Sequence, residues 1–217
     1  MSNSAIIKPI DSETGVYLHW NGGPDSVTAF LTYCKMKGYR PFGGKGSDGY
    51  GIARFCQVVG NFFGGSTSIG IMTDITDRYA DNYENGIYIV DGWDIVARKG
   101  RQTTSEGYDL IEMLCSIDDA QPEEERLTHE YIMAEEVEPS ELKIGDQVFC
   151  MAFDGKVATH TIVGIGVNGK MCNGHDVSGV PYVNTYGDNS DAIADNINNY
   201  IREKVRVVKN TKEENNE

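Results

Sequence analysis

Apolar residues in the first half of the chain recur mainly at helical spacing. Val27, Phe30, Leu31 and Cys34 fall at i, i+3, i+4 and i+7, the one-sided stripe of an amphipathic helix. Asp25 or Ser26 is placed to cap its start, and Gly38 to end it. Ile52, Phe55, Cys56, Val59, Phe62 and Phe63 repeat the pattern, which makes the most apolar helix of the chain, and Gly64 and Gly65 stop it. Leu110, Ile111, Leu114 and Ile117 predict a third helix. Strand signals lie between these stripes. Val16 to Trp20 reads as a short β-prone run, and Ser66 to Met72 as another. Ile87 to Val90 and Trp93 to Arg98 flank Asp91-Gly92, a hairpin signal, because a type I′ turn needs positive φ at both central residues. The first dozen residues read as a loose lead-in, and Asp74 to Glu84 as a polar surface loop.

The pattern changes after Asp118 to Arg126, an acidic stretch containing Pro122 that reads as a linker. Glu141 to Asp146 leads into Gln147 to Phe153, the turn Asp154-Gly155, Lys156 to Val167, the turn Asn168-Gly169 and Lys170 to Cys172. Two tight turns in succession predict a meander, and Ile201 to Val208 supplies a closing strand. Asp188 to Tyr200 reads as a short helix or an ordered loop. The expectation is an α+β protein with four parts. These are an N-terminal α/β module with a hairpin over 14–117, an acidic linker over 118–128, a small all-β module of SH3-like barrel character over 129–209, and a disordered tail over 210–217.

Composition narrows the function classes. The net charge of −14 repels phosphate backbones, which argues against direct nucleic-acid binding. Part of that charge lies in Asp118 to Glu125 and in the tail from Lys212 to Glu217, where solubility explains it more simply than a basic partner does. No run of 18 apolar residues is present, and the first residues lack the basic-then-apolar layout of a signal peptide, so a cytoplasmic protein without a membrane span is expected. The cysteines, Cys34, Cys56, Cys115, Cys150 and Cys172, are odd in number and widely spaced. The first three sit on helical stripes and read as core thiols in a reducing compartment. His19, His129, His160 and His175 are scattered, so neither a metal nor a cofactor is expected.

One loop carries suggestive chemistry. Asn21-Gly22-Gly23-Pro24-Asp25-Ser26 joins the first strand to the first helix, where glycines let a ligand approach and helix N–H groups favour an anion. These residues resemble the S-G-G-x-D-S pyrophosphate loop of the ATP pyrophosphatases, with Asn21 standing where that family has serine. The resemblance implies that Gly22, Gly23 and Ser26 cradle a pyrophosphate and that Asp25 helps to hold magnesium. The chain departs from the family after Tyr39, where a glycine-rich loop and a second helix replace a second parallel strand. The plainer reading, a strand-to-helix turn with Asp25 and Ser26 as caps, is preferred.

A broader resemblance runs from Gly15 to Ile117. Gly15 to Gly22 has the form G-V-Y-x-H-W-[DN]-G, followed by Gly60 to Gly65 and by the hairpin from Gly86 to Val96. This is similar to uncharacterised accessory proteins of bacteriophages and prophages, and implies a dispensable protein that acts on host machinery or host defence. Beside the glycine loop, His19 and Trp20 would face opposite sides of a strand, one of them toward the core. Arg54 lies among apolar neighbours, where it needs a carboxylate or an anionic ligand. No catalytic constellation emerges from spacing. The expectation is therefore a phage-encoded, non-catalytic binding protein of the host cytoplasm that inhibits host defence. It would sequester a nucleotide-like signal or dock on a defence protein, with a homo-oligomer possible. The candidate ligand-binding residues are His19, Trp20, Asn21, Gly22, Gly23, Asp25, Ser26 and Arg54. The alternatives are a divergent nucleotide-hydrolysing enzyme built on the loop and a structural or interaction protein of the virion.

Overall fold

The stretch read as a lead-in is the central strand of a sheet. In the computed structural model, which describes residues 2–42, 49–101, 105–151, 155–166, 178–183, 201 and 203–208, strand β1 (Ala5–Pro9) lies between two partners. Ala5, Ile6 and Ile7 are 0% exposed. A strand covered on both faces has no reason to alternate apolar with polar residues, so period-two patterning does not mark it. Pro9 is tolerated because it ends the strand.

The chain divides into two compact units, Met1–Arg126 and Leu127–Glu217. The first unit continues with β2 (Gly15–Leu18), α1 (Pro24–Met36), α2 (Tyr50–Phe62), β3 (Ile69–Met72), β4 (Ile87–Asp91), β5 (Asp94–Lys99) and α3 (Leu110–Asp119). Its sheet has the order β3-β2-β1-β4-β5. β1 runs parallel to β4, and the other neighbours are antiparallel. The hairpin forms, but its two-residue turn is Gly92-Trp93, one residue later than expected: Asp91 stays in β4 paired with Asp94, and of the expected pair only Gly92 has positive φ, at 65°. One face packs Ile6, Ile87 and Ile89 against Ile75 and Ala80. Ala80 belongs to a short 3-10 helix over Asp77–Asn82, so the segment read as a polar loop covers that face. Alternation turns Ile7, Tyr88 and Val90 to the opposite face. The three helices pack together there, with Phe30 meeting Phe55, Phe62 and Phe63 edge-on.

Of the segment read as a linker over 118–128, Asp118 to Arg126 belongs to the first unit, and Leu127 and Thr128 open the second. Asp118 is 1% exposed and accepts a hydrogen bond from Tyr33 Oη at 2.7 Å. The buried Gln121 donates to the carbonyls of Val58 and Ile117, and Arg126 donates to those of Gln121 and Asp119. Cys34 is buried, whereas Cys56 and Cys115 are half-buried. Burial pushes the Cys34 thiol up strongly and that of Cys56 to about 11.

The second unit holds α4 (His129–Met133), β6 (Glu135–Val137), β7 (Gln147–Met151), β8 (Val157–Ile165), β9 (Pro181–Val183) and β10 (Val205–Val207). Its strands form an antiparallel sheet in the order β6-β10-β7-β8-β9 over a core of Leu142, Val148, Ile162 and Val183. Among the described residues this sheet does not close on itself. The expected turn at Asn168-Gly169, the strand from Lys170 to Cys172, the segment from Asp188 to Tyr200 and the tail over 210–217 lie outside the described residues. The protein thus mixes helix and sheet in α+β fashion, and no described helix is long and apolar enough to cross a membrane.

Candidate functional site

The turn between β2 and α1 is built by backbone requirements that the sequence meets one residue at a time. Asn21 has φ 53°, a left-handed conformation that asparagine tolerates better than most residues. Gly22 then lies flat against the chain ahead of β1. Its N–H donates to the Asn3 carbonyl at 2.8 Å, and an added Cβ would fall 2.6 Å from that oxygen and 2.8 Å from Ala5 Cβ. The Gly22 carbonyl in turn accepts from Tyr88 Oη at 2.9 Å. Gly23 is the N-cap of α1, and Pro24 opens the helix, where its missing N–H costs nothing. Asp25 and Ser26, expected as caps, lie inside the first turn.

Both side chains are engaged by a second loop, the strap from Ser105 to Tyr108. Asp25 Oδ2 accepts from Ser105 Oγ at 2.7 Å, from Gly107 N at 2.8 Å and from Tyr108 N at 3.0 Å, while Oδ1 accepts from Ser26 N at 3.0 Å. Burial alone would raise the Asp25 carboxyl; the bonds from Ser105, Tyr108 and Ser26 outweigh it and hold the group below its ordinary value. The strap answers with Glu106. Its carboxylate accepts from Ser26 Oγ at 3.2 Å and from the Asn3 side-chain amide, and an oxygen lies 3.3 Å from where a Cβ on Gly23 would sit. Asn21 Nδ2 donates to Ser26 Oγ at 3.3 Å, which completes a chain from Asn21 through Ser26 to Glu106. Glu106 thus takes the place at the start of α1 that suits an anion, and the amides of Gly107 and Tyr108 hold Asp25. The result is a clasp of two carboxylates, each received by the other's loop.

Tyr88 and Arg98 lie beneath the clasp. The Arg98 guanidinium is 4.5 Å from the centre of the Tyr88 ring and donates to the Asn85 carbonyl at 3.3 Å, and its buried Nε has no hydrogen-bond partner among the described residues. Burial pushes the Tyr88 hydroxyl up to about 12, against the opposing pull of Arg98 and with the charges of Asp25 and Glu106 adding to it. Sequence reading missed Glu106, Tyr88 and Arg98 as members of this site. The strap has no periodicity, and only the fold brings it to Asp25.

The remaining expected residues stand apart from the clasp. β2 ends at Leu18, so His19 and Trp20 are not on opposite faces of a strand, and neither enters the core. His19 Nδ1 shares a hydrogen bond of 2.7 Å with Tyr17 Oη and meets the Trp20 ring edge-on, and Trp20 is 42% exposed. Arg54 is exposed, stacks over Tyr39 and donates to Gln57 Oε1 at 2.6 Å, so its partners belong to its own end of the unit and not to the loop.

Beside Asn21 a groove of about 260 Å³ opens along the start of α3. It is lined by Asn21, Phe62, Tyr108, Asp109, Glu112, Met113 and Ser116, a set with two carboxylates and no cation. Asp109 caps α3 by accepting from Ile111 N and Glu112 N, so its carboxylate is fixed in place. Tyr108, Leu110 and Ile111 are exposed around it. Such a wall of aromatic ring and carboxylate suits a cationic side chain, through the ring face and through charge. No family model, curated protein or solved structure matches the chain.

Proposed function

We propose that this is a phage-encoded, non-catalytic binding protein that works in the host cytoplasm by docking on a basic surface of a host defence protein. The clasp is the observation that favours docking over capture of a small anion. The groups that a phosphate would need are engaged in the clasp, the amides of Ser26, Gly107 and Tyr108 by Asp25 and the Ser26 hydroxyl by Glu106, while the groove at Tyr108, Asp109 and Glu112 offers two carboxylates with no cation in its lining to a partner. The likeness of Gly15 to Ile117 to phage accessory proteins supports host defence as the target. The second unit fits a small docking module of SH3-like character. Supporting that reading, β8 bends at an irregularity between Ile162 and Gly164, pairs with β7 through its first half and with β9 through its second.

The test is rescue of a defence-sensitive phage in cells that express the protein. Wild type should restore plaques, and Glu112→Lys and Tyr108→Ala should each reduce the rescue at least tenfold without loss of soluble protein. Full rescue by both variants would remove the groove from the proposal. A second reading, capture of a nucleotide-like signal, has one observation in its favour, the buried Nε of Arg98 beside the clasp, which has no hydrogen-bond partner among the described residues. It requires Glu106 to leave Ser26. Calorimetry with cyclic nucleotides and NAD-derived signals separates the two, because heat with any of them that Arg98→Gln abolishes would favour capture. Magnesium-dependent ATP turnover abolished by Asp25→Ala would instead favour the enzyme.

A further inference from the structure

The two edges of the first sheet are treated differently. β5 is protected: Asp94, Arg98 and Lys99 line it, Lys35 pairs with Asp94 at 3.1 Å, Lys99 pairs with Asp77 at 2.8 Å, and the ladder shifts register between Ile89 and Val90. β3 has none of these devices. From Phe55 to Thr73 the chain contains no Asp, Glu, Lys, Arg or His, in a protein of net charge −14. Among the described residues β3 pairs only with β2, and Ile71, at its middle, is 57% exposed.

The direction of the free backbone groups follows from one bond. His19 N donates to the Ser68 carbonyl at 2.8 Å, so Ser68 faces β2. Alternation turns the groups of Gly70 and Met72 the same way and those of Ile69 and Ile71 to the open side. A strand that pairs with itself about a two-fold axis at Gly70 sets Ile69 opposite Ile71 of the second copy, and Ile71 opposite Ile69. Each pair exchanges two hydrogen bonds through the free groups. Gly70 then faces its own counterpart as a non-hydrogen-bonded pair, the position where antiparallel strands come closest, at about 4.5 Å between Cα atoms. The residue at that closest approach has no side chain, and its neighbours are matched isoleucines.

From this we infer that the protein forms a two-fold dimer through β3, which joins two five-stranded sheets into one. The occupant is a second copy of this chain because the edge is self-complementary in register and lacks charge, so the repulsion between two acidic protomers is weakest along it. The inference is independent of the groove at α3 and of what that groove binds.

Sedimentation velocity of the full chain between about 1 and 100 µM tests the dimer, and a symmetric disulfide tests its register. An added Cβ at Gly70 meets only Tyr17, at 3.8 Å, so cysteine fits there. The expected Cα separation of about 4.5 Å falls within the range that a disulfide spans, about 4.4–6.8 Å. Wild type should dimerise as concentration rises. Ile71→Lys should weaken association at least tenfold, and Gly70→Cys should cross-link under mild oxidant well ahead of both wild type and Ile71→Cys, whose thiols sit out of register. Three results would each overturn the inference: wild type that stays monomeric, a dimer that survives Ile71→Lys, or Gly70→Cys that links no faster than wild type. A monomer would leave the edge to a strand from some other protein.

Discussion

Replacing Asp25 by alanine removes the acceptor that holds the strap, and the size of the effect can be worked from the bonds lost. Ser105 Oγ, Gly107 N and Tyr108 N all donate to one oxygen of Asp25. A hydrogen bond to a charged group contributes about 1.5–3 kcal/mol when its partner cannot be replaced. Here Ser105, Gly107 and Tyr108 are exposed, so water replaces the carboxylate at each donor and the three values do not add. A loss of about 2 kcal/mol is expected, which corresponds to roughly a 30-fold rise in strap opening. Hydrogen exchange at the Gly107 and Tyr108 amides reads this directly. Their protection should fall about 30-fold in Asp25→Ala and by less in Asp25→Asn, which keeps a neutral acceptor. The pH dependence has a fixed sign. Because folding lowers the Asp25 carboxyl, its contribution is present above the ordinary aspartate range and is lost as pH falls through the lower folded value. Protection that is unchanged in Asp25→Ala, or that rises on acidification, would refute the clasp.

Three further outcomes follow from the same geometry. Gly22→Ala forces a Cβ to within 2.6 Å of the Asn3 carbonyl and should destabilise the first unit by about 1–3 kcal/mol or more in urea unfolding. Tyr33→Phe takes a donor from the buried carboxylate of Asp118 and should lower thermal stability by about 1.5–3 kcal/mol. Glu84 accepts from Ser2 Oγ at 2.5 Å and from the hydroxyl and N–H of Ser4, bonds that pull its carboxyl down to about 2. The start of the chain should therefore stay protected from exchange above the ordinary glutamate range and loosen as pH falls toward about 2, and Glu84→Gln should loosen it at neutral pH.

Elements marked by a helical stripe or a turn signal were legible, and β1, which has neither, was not. The stripes beginning at Val27, Ile52 and Leu110 gave helices within a few residues of their observed ends, and Asp91-Gly92 marked its hairpin one residue ahead of the turn, at Gly92-Trp93. Ala5, Ile6 and Ile7 escaped because a three-residue apolar run buried on both faces carries no period, and Lys8 and Pro9 after it made it look like a lead-in. Asp118 to Arg126 looked solvated by composition, yet Asp118 and Gln121 are buried because Tyr33, Val58 and Ile117 offer them partners. The glycine loop was legible as a turn. That the Asp25 carboxylate and the Ser26 hydroxyl would be matched by a strap some 80 residues away was not, since no local rule links Asp25 to Gly107.

The parallel pairing of β1 with β4 has a consequence for synthesis on the ribosome. β2 emerges soon after β1 and zips against it, but Ile87, the partner of Ile6, follows roughly 80 residues later. At about 5–20 residues per second the nascent hairpin waits on the order of 4–16 seconds with the Ile6 and Ile7 side of β1 unpaired. That interval leaves a central strand edge open, which makes slower translation between Leu18 and Ile87 a hazard for this protein.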